Sequence, residues 1–449
     1  MGKLHSVALN QDLCVGCTNC IKGCPTEAIR VRDGKAHIDE ARCIDCGECI
    51  RICPHHAKSA VTDPFPELRS RDPKHPTAVL LPPSLYAQFG PPATRAKIIS
   101  AMYEIGFDFV YEVALGASAS SLRTRELLEE RRRLVRDGEA DYVTVFPLIS
   151  SACPVVVRLI QMKYRSLISH LVPLYSPMEI TAHYAREDVA QKTGIPATDV
   201  VTYFLSPCPS KRTATQIPIG QEKSDVSHVV ALHEVYPYIL NMLEKNEGNH
   251  RSITAETPIK LADSDGVQWA TAGGEAMTLG TDKYMAVDGI QNVISILDEI
   301  ENERLKDIEF VEPSCCFGGC IGGPLVASNP FSARARMRGF VQSAKDEVNL
   351  RPDQFLSPEQ LETRTWEIPV AENNAMRLDE DMGAAMDKYQ QMEALLKTLP
   401  GLDCGACGAP TCAALAEDIV QGKALETDCI IKLKEHIRKV AKEINILDL

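Results

Sequence analysis

Short apolar runs alternate with longer stretches of helical period over most of this chain. Thr77 to Leu81, Phe107 to Val113, Tyr142 to Phe146, Val200 to Leu205, Val229 to Leu232 and Ile308 to Val311 have strand length. Ser121–Arg136, Val155–His170 and Val287–Glu303 carry the helical period between them. Strands alternating with helices predict parallel α/β layers. Outside this region the pattern changes. Residues 1–62 form a first module, followed by a polar, proline-rich linker over 63–76 that runs from Asp63-Pro64-Phe65-Pro66 to His75-Pro76. Residues 77–345 hold the alternating pattern, 346–394 read as an acidic connector with a helix at Met382–Thr398, and 395–449 form a last small module.

At 449 residues the chain has room for two or three domains. No apolar run reaches the length that crosses a bilayer, and the start Met1 to Ser6 lacks the apolar core of a signal peptide. A cytoplasmic protein without membrane insertion is expected. The net charge of −13 argues against nucleic acid as a partner. The basic run Arg131 to Arg133 follows Glu129 and Glu130 and reads as a solvated helix face.

Seventeen cysteines change the picture. The count is odd and no export signal accompanies it, so metal ligation in a reducing compartment is favoured over disulfides. Cys14, Cys17, Cys20 and Cys24 precede Pro25, and Cys43, Cys46, Cys49 and Cys53 precede Pro54. Each run reads C-x2-C-x2-C-x3-C-P. This repeat resembles the two-cluster bacterial ferredoxins, in which the fourth cysteine of each run ligates the other cluster. That places one 4Fe–4S cluster on Cys14, Cys17, Cys20 and Cys53, and a second on Cys43, Cys46, Cys49 and Cys24. A pair of zinc sites is the alternative. His55 and His56 read as exposed loop histidines.

Three cysteine-bearing stretches follow strands in the central region: Ser150-Ser151-Ala152-Cys153-Pro154, Ser206-Pro207-Cys208-Pro209-Ser210-Lys211, and Glu312 to Gly323 with Cys315, Cys316 and Cys320. Loops at the carboxyl ends of strands are where open α/β sheets bind ligands. On a helical turn the spacing of Cys316 and Cys320 puts two thiolates on one face. Gly318 and Gly319 between them leave room for a bulky inorganic group. Soft thiolate sets select iron–sulfur clusters, zinc or copper(I).

These three stretches, in this order, resemble the cluster-binding motifs of the iron–iron hydrogenases over residues from about 78 to 345. Tyr175-Ser176-Pro177 and Ala270-Thr271-Ala272-Gly273-Gly274 are weaker echoes. The resemblance implies a central two-lobed α/β domain holding an H-cluster, a 4Fe–4S cubane joined to a di-iron subcluster with CO and cyanide ligands. Cys153, Cys208, Cys316 and Cys320 would hold the cubane, Cys320 would bridge to the di-iron unit, and Lys211 would hydrogen-bond a cyanide. The implied activity is reversible oxidation of dihydrogen to protons and electrons. It also implies a redox or signalling protein partner and maturation proteins for the di-iron unit.

The sequence departs from the family where protons are carried. Ala152 stands where a relay cysteine is usual, and Arg123 and Thr124 fall where acidic relay residues are usual. Ser314 and Ser206 replace methionines, which predicts a more polar pocket. Similar losses mark the sensory branch of the family, so a slow hydrogenase that senses dihydrogen or redox state is the leading expectation. A turnover hydrogenase with a different proton path is one rival. An electron-transfer or cluster-assembly protein without the di-iron unit is the other.

The last module carries Cys404, Cys407, Cys412 and Cys429. Its spacing resembles a small, helical 4Fe–4S domain of corrinoid proteins and membrane electron-transfer complexes, with zinc as the alternative. Sixteen of the seventeen cysteines are then placed. Cys315 remains, beside ligand Cys316, as a thiol able to carry protons in place of the one missing at 152. The expected architecture is a ferredoxin (α+β) domain, the two-lobed α/β domain and the C-terminal cluster domain. Terminal clusters flanking the centre would let electrons enter or leave at either end.

Overall fold

The structure, a computed structural model, describes residues 5–65, 72, 74–245, 261–347 and 352–447. Most of the linker expected at 63–76 lies outside them. The chain divides into two compact units, Met1–Ala60 with Asn373–Leu449, and Val61–Glu372. The two terminal modules therefore belong to one unit. The acidic connector is split, its first part going with the central unit and its helix Met382–Thr398 with the terminal one.

In the terminal unit, β1 (Val7–Leu9) pairs antiparallel with β4 (Lys58–Ala60), and β2 (Ile29–Arg32) with β3 (Lys35–Ile38). The C-terminal module seats its loop on β2, where Val31 N donates to Gly408 O at 2.8 Å. Buried Asp418 accepts from Arg30 Nε and Arg32 Nη2, both at 2.7 Å, and Glu417 pairs with Arg42. Sequence spacing cannot reveal this docking, because the partners stand more than 370 residues apart.

The central unit holds two parallel sheets, and this mixed α/β architecture is the expected one. One sheet has the order β6-β5-β8-β9, with β5 Thr77–Leu81, β6 Phe109–Glu112, β8 Val201–Ser206 and β9 His228–Ala231. The other has the order β10-β11-β7, with β7 Leu148–Ile149, β10 Tyr284–Asp288 and β11 Phe310–Ser314. Ala78, Val79, Leu80 and Leu81 on β5 are fully buried, as a central strand covered on both faces requires.

Several elements differ from the sequence pattern. Tyr142–Val145 is a short helix, with Thr144 Oγ1 on Asp141 O at 2.7 Å; the strand begins only after Pro147. The helix expected from Ser121 starts at Val113, directly off β6, because the alanine- and serine-rich turn before Ser121 is buried on all sides and shows no amphipathic period. Val287 belongs to strand β10, so its helix starts at Ile290. The stretch from Val155 breaks at Tyr164 into a helix and a 3-10 turn.

At the junction of β6 and its helix lies a buried ion pair. Glu112 accepts from Arg95 Nη1 at 3.1 Å, from Tyr86 Oη at 2.6 Å and from Ala262 N at 2.6 Å. Arg95 also pairs with Glu347. Removing one partner of a buried pair strands the other charge, which costs about 3–5 kcal/mol. Glu112→Ala should lose about 3 kcal/mol, the low end, because Glu347 still faces Arg95. A urea midpoint unchanged from the parent would contradict this.

Candidate metal centres

The ferredoxin repeat closes around two recesses. One, of about 340 Å³, is lined by Cys14, Cys17, Cys20 and Cys53. The other, of about 350 Å³, is lined by Cys24, Cys43, Cys46 and Cys49. Each groups three thiols of one run with the fourth of the other. Backbone amides point at the sulfurs in matching places: Ala28 N donates to Cys24 Sγ at 3.2 Å and Ala57 N to Cys53 Sγ at 3.3 Å. Such contacts favour the thiolate and tune a bound cluster. Burial raises the Cys20 and Cys49 thiols, and the Lys58 ammonium opposes it at both. Lys58 Nζ is itself buried, with no hydrogen-bond partner among the described residues. An orphaned buried ammonium requires a nearby anion, and four thiolates around iron supply one. His55 is exposed at the rim of the first recess.

The C-terminal recess, of about 300 Å³, is lined by Cys404, Cys407, Cys412 and Cys429. Asp403 Oδ1 accepts from Cys412 N at 2.6 Å and closes the loop between them. All seventeen cysteines are free thiols, so each of these sets has its full ligand complement.

In the central unit the three motifs meet at the carboxyl ends of β7, β8 and β11. Cys153 precedes helix Pro154–Lys163. Cys208 follows β8, where the Ser206 hydroxyl accepts from Cys208 N at 3.2 Å and donates to Cys208 O at 2.6 Å. The motifs are stitched together: Leu325 N donates to Pro207 O at 2.9 Å, Lys211 Nζ to Ala152 O at 3.2 Å, and the Cys315 backbone hydrogen-bonds the Cys153 thiol. Cys316 and Cys320 are not on the helical turn expected. Gly318 and Gly319 take positive φ, and a methyl on Gly319 would lie 2.6 Å from Ala272 N. Glycine there admits the protein's own backbone, not an inorganic group.

The four thiols are mutually coupled. Desolvation leads in raising each of Cys153, Cys208 and Cys320, and the charges of the other ligand thiols add to it. Cys208 is pushed up to about 12. Lys211 is the cation that works against this at all three. Four thiolates so placed are stable only on a strongly cationic centre.

Beside them lies a recess of about 360 Å³, with Ala152, Ser176, Glu179, Lys211, Gln221 and Trp366 in its lining. Neither Ser206 nor Ser314 lines it, so its polarity comes from other residues than those the sequence suggested. Cys315 is buried and does not line it either. Arg123 is turned outward to Glu126 and Glu130, while the Thr124 hydroxyl is buried without a partner among the described residues.

Sequence reasoning missed two carboxyls. Glu312 sits in central strand β11 and Glu275 follows the Ala270–Gly274 echo; both are buried. Glu275 Oε2 accepts from the Ser150 hydroxyl, whose oxygen accepts from Ala152 N at 3.3 Å. Glu312 accepts from Gly273 N at 2.9 Å and Ala276 N at 2.8 Å. Burial, then the neighbouring Glu312 charge, raises Glu275 well above the usual carboxylate range. Burial raises Glu312 to about 7. Burial and like charge together disfavour ionising both carboxyls at once. The available signal was Glu312, a charged residue inside the otherwise largely apolar strand Phe310–Ser314.

A family model described as the iron only hydrogenase large subunit, C-terminal domain, matches residues 75–281 and 275–324. A 4Fe-4S dicluster domain matches 6–54, and an Fe-S cluster family matches 399–431. Iron hydrogenase 1 of Clostridium pasteurianum is 26% identical over 48% of this chain and 34% of its own length. The periplasmic [Fe] hydrogenase large subunit of Nitratidesulfovibrio vulgaris is 28% identical over 47% of this chain and 51% of its own. The chain thus spans between a third and a half of these curated relatives. Among solved structures, the FeFe-hydrogenase of Chlamydomonas reinhardtii is 16% identical, with TM-score 0.49, over 69% of this chain and 95% of that one. No helix among the described residues is long and apolar enough to cross a membrane.

The raised Glu312 carboxyl binds a proton more tightly in the folded state than in the unfolded chain. Stability from this site is therefore greatest at low pH and falls as pH rises from about 4.5 through about 7. Glu312→Gln should flatten that part of the stability profile. An equally steep fall in thermal midpoint between pH 5 and pH 8 in the variant would contradict the assignment.

Proposed function

Because the chain belongs to the iron-only hydrogenase large-subunit family, we propose that it is an iron–iron hydrogenase. It would oxidise dihydrogen and reduce protons reversibly at low rate, and report dihydrogen or redox state to a protein partner. The observation that carries this reading is the central constellation. Four coupled thiols stand at the strand tips, and beside them is a polar recess lined by Lys211.

Cys153, Cys208, Cys316 and Cys320 would hold a 4Fe–4S cubane, with Cys320 also reaching the di-iron unit. The di-iron group, when bound with its CO and cyanide, would supply the centre at which dihydrogen is split, yielding two protons and two electrons. Lys211 offers a charged donor to an anionic ligand there. Trp366, Leu174 and Met178 wall the recess and limit water.

Proton handling falls to groups other than a cysteine at 152. Ala152 carries no exchangeable side-chain proton. Behind it the Ser150 hydroxyl meets Glu275, and Glu275 is coupled to Glu312. A carboxyl titrating near 7 is matched to proton exchange at neutral pH. This pair favours a second reading, turnover with a different proton path. Cys315 is the other candidate, and its thiol would have to act from outside the recess lining. The seventeen free thiols suit a reducing compartment such as the cytoplasm. Insertion of the di-iron unit requires maturation proteins, and the terminal clusters carry electrons to the partner.

The test is isotope exchange by the matured protein. Under D2 in ordinary water it should form HD and hold about eighteen irons, four cubanes plus two. Lys211→Ala should fall to about sixteen irons and lose exchange, with the terminal clusters intact. Glu275→Gln should keep its iron and slow exchange about a hundredfold or more, the usual cost of a positioned proton carrier. Cys315→Ala should leave exchange near the parent rate; a comparable loss there would move the relay to Cys315. A fully iron-loaded protein that forms no HD would assign the chain to non-catalytic electron transfer.

A further inference from the structure

The cysteine loop of the C-terminal recess is hydrogen-bonded to a strand residue that lines the first ferredoxin recess. Val31 lines the first recess, and its backbone N–H donates to the carbonyl of Gly408, the residue after Cys407, at 2.8 Å. Arg32 Nη1 donates to Cys407 O at 2.7 Å. Ile21 follows Cys20, and Gly405 follows Cys404. A methyl built on Gly405 would lie 3.4 Å from Ile21 Cδ1. Lys22 Nζ crosses the same seam to Asp403 O and, at 2.7 Å, to Pro410 O. Gly408 has φ +79°, and a methyl there would fall 1.8 Å from Val31 O, so this approach requires glycine. Toward the second ferredoxin recess the links are side chain to side chain: Thr411 Oγ1, beside Cys412, meets Glu27 at 3.3 Å, and Arg42 pairs with Glu417.

We propose that the C-terminal site exchanges electrons directly with the site on Cys14, Cys17, Cys20 and Cys53. The terminal unit is then one three-centre relay, extended past the ferredoxin and not duplicated at the far end of the protein. The proposal rests on the cluster assignments above. One electron moves from a reduced 4Fe–4S centre (1+) on one side of the seam to an oxidised one (2+) on the other; no bond is made or broken and no proton is required. The path from Cys407 is its own peptide, the Gly408 carbonyl and a single hydrogen bond into Val31. Asp418 fixes the register by clamping Arg30 and Arg32, which flank Val31 on β2. Arg32, donating to the Cys407 carbonyl, also places a cation beside that site. It therefore stabilises the more negative, reduced state of the C-terminal centre, which fits that site as an electron acceptor from the ferredoxin side.

The experiment needs no di-iron unit and reads no activity. Unmatured full-length protein is reconstituted with iron and sulfide, its iron counted, then fully reduced and examined by electron paramagnetic resonance at two microwave frequencies. The proposal predicts field-independent dipolar splitting on the C-terminal signal. In Cys404→Ser/Cys412→Ser, four irons fewer should be bound, and the first ferredoxin signal should narrow and relax more slowly. In Arg30→Gln/Arg32→Gln, with iron unchanged, the splitting should shrink and the C-terminal midpoint potential should fall. Full iron with a spectrum that is the simple sum of uncoupled centres would overturn the shared seam. An iron count short by four in the parent would overturn the cluster assignment itself, and the proposal with it. If the cysteine variant does not fold, the two-frequency splitting in the parent decides alone.

Discussion

Thiolates repel one another, and burial makes each of them harder to ionise. In the central unit Cys153, Cys208 and Cys320 are all raised by desolvation and by their fellow ligands, with Lys211 the cation that opposes it. The protein holds these groups together because three loops are fixed by hydrogen bonds to one another, from Pro207 to Leu325 and from Lys211 to Ala152. The same constraint recurs at the terminal sites, where Lys58 sits buried near both ferredoxin cages. Where such sets form, a polycationic iron–sulfur core relieves the repulsion. The rest of the fold can be read as what holds the loops in place while that core is absent or present.

Two parallel sheets do the holding. β7 and β11 lie side by side in one, β8 in the other, and all deliver their cysteines from their carboxyl ends. The Arg95–Glu112 pair ties the first turn of the long helix after β6 to the segment at Ala262, which leads to the echo motif around Gly319. The backbone of that echo, Ala270 to Ala272, closes on the third cysteine loop through Ile321 and Gly318. A chain of ordinary packing and one buried ion pair thus reaches the four central thiols, of which Cys320 opens a short 3-10 turn and the others sit in loops.

Much of this was legible in the sequence because it is local. The strand Thr77–Leu81 and the helix Met382–Thr398 fall where the apolar pattern puts them. Cysteine spacing also foretold which thiols line each terminal recess. What was not legible is non-local. The Glu275–Glu312 coupling joins residues 37 positions apart through a strand and a loop, and neither has a polar neighbour in sequence that announces a partner. The docking of the last module on β2 depends on Asp418 finding Arg30 and Arg32. The Tyr142–Phe146 run failed because an apolar stretch of that length suits a short helix as well as a strand.

The central claim is that the recess beside the four thiols receives a di-iron unit held toward Lys211. Infrared spectroscopy of the matured protein tests it most directly, because bound CO and cyanide absorb where protein does not. The account predicts sharp bands from both ligands, with the cyanide bands shifted in Lys211→Arg, where a charged donor remains but its geometry changes. A matured protein with full cubane iron and no CO or cyanide bands would contradict the account and leave a plain 4Fe–4S centre in the middle of the chain.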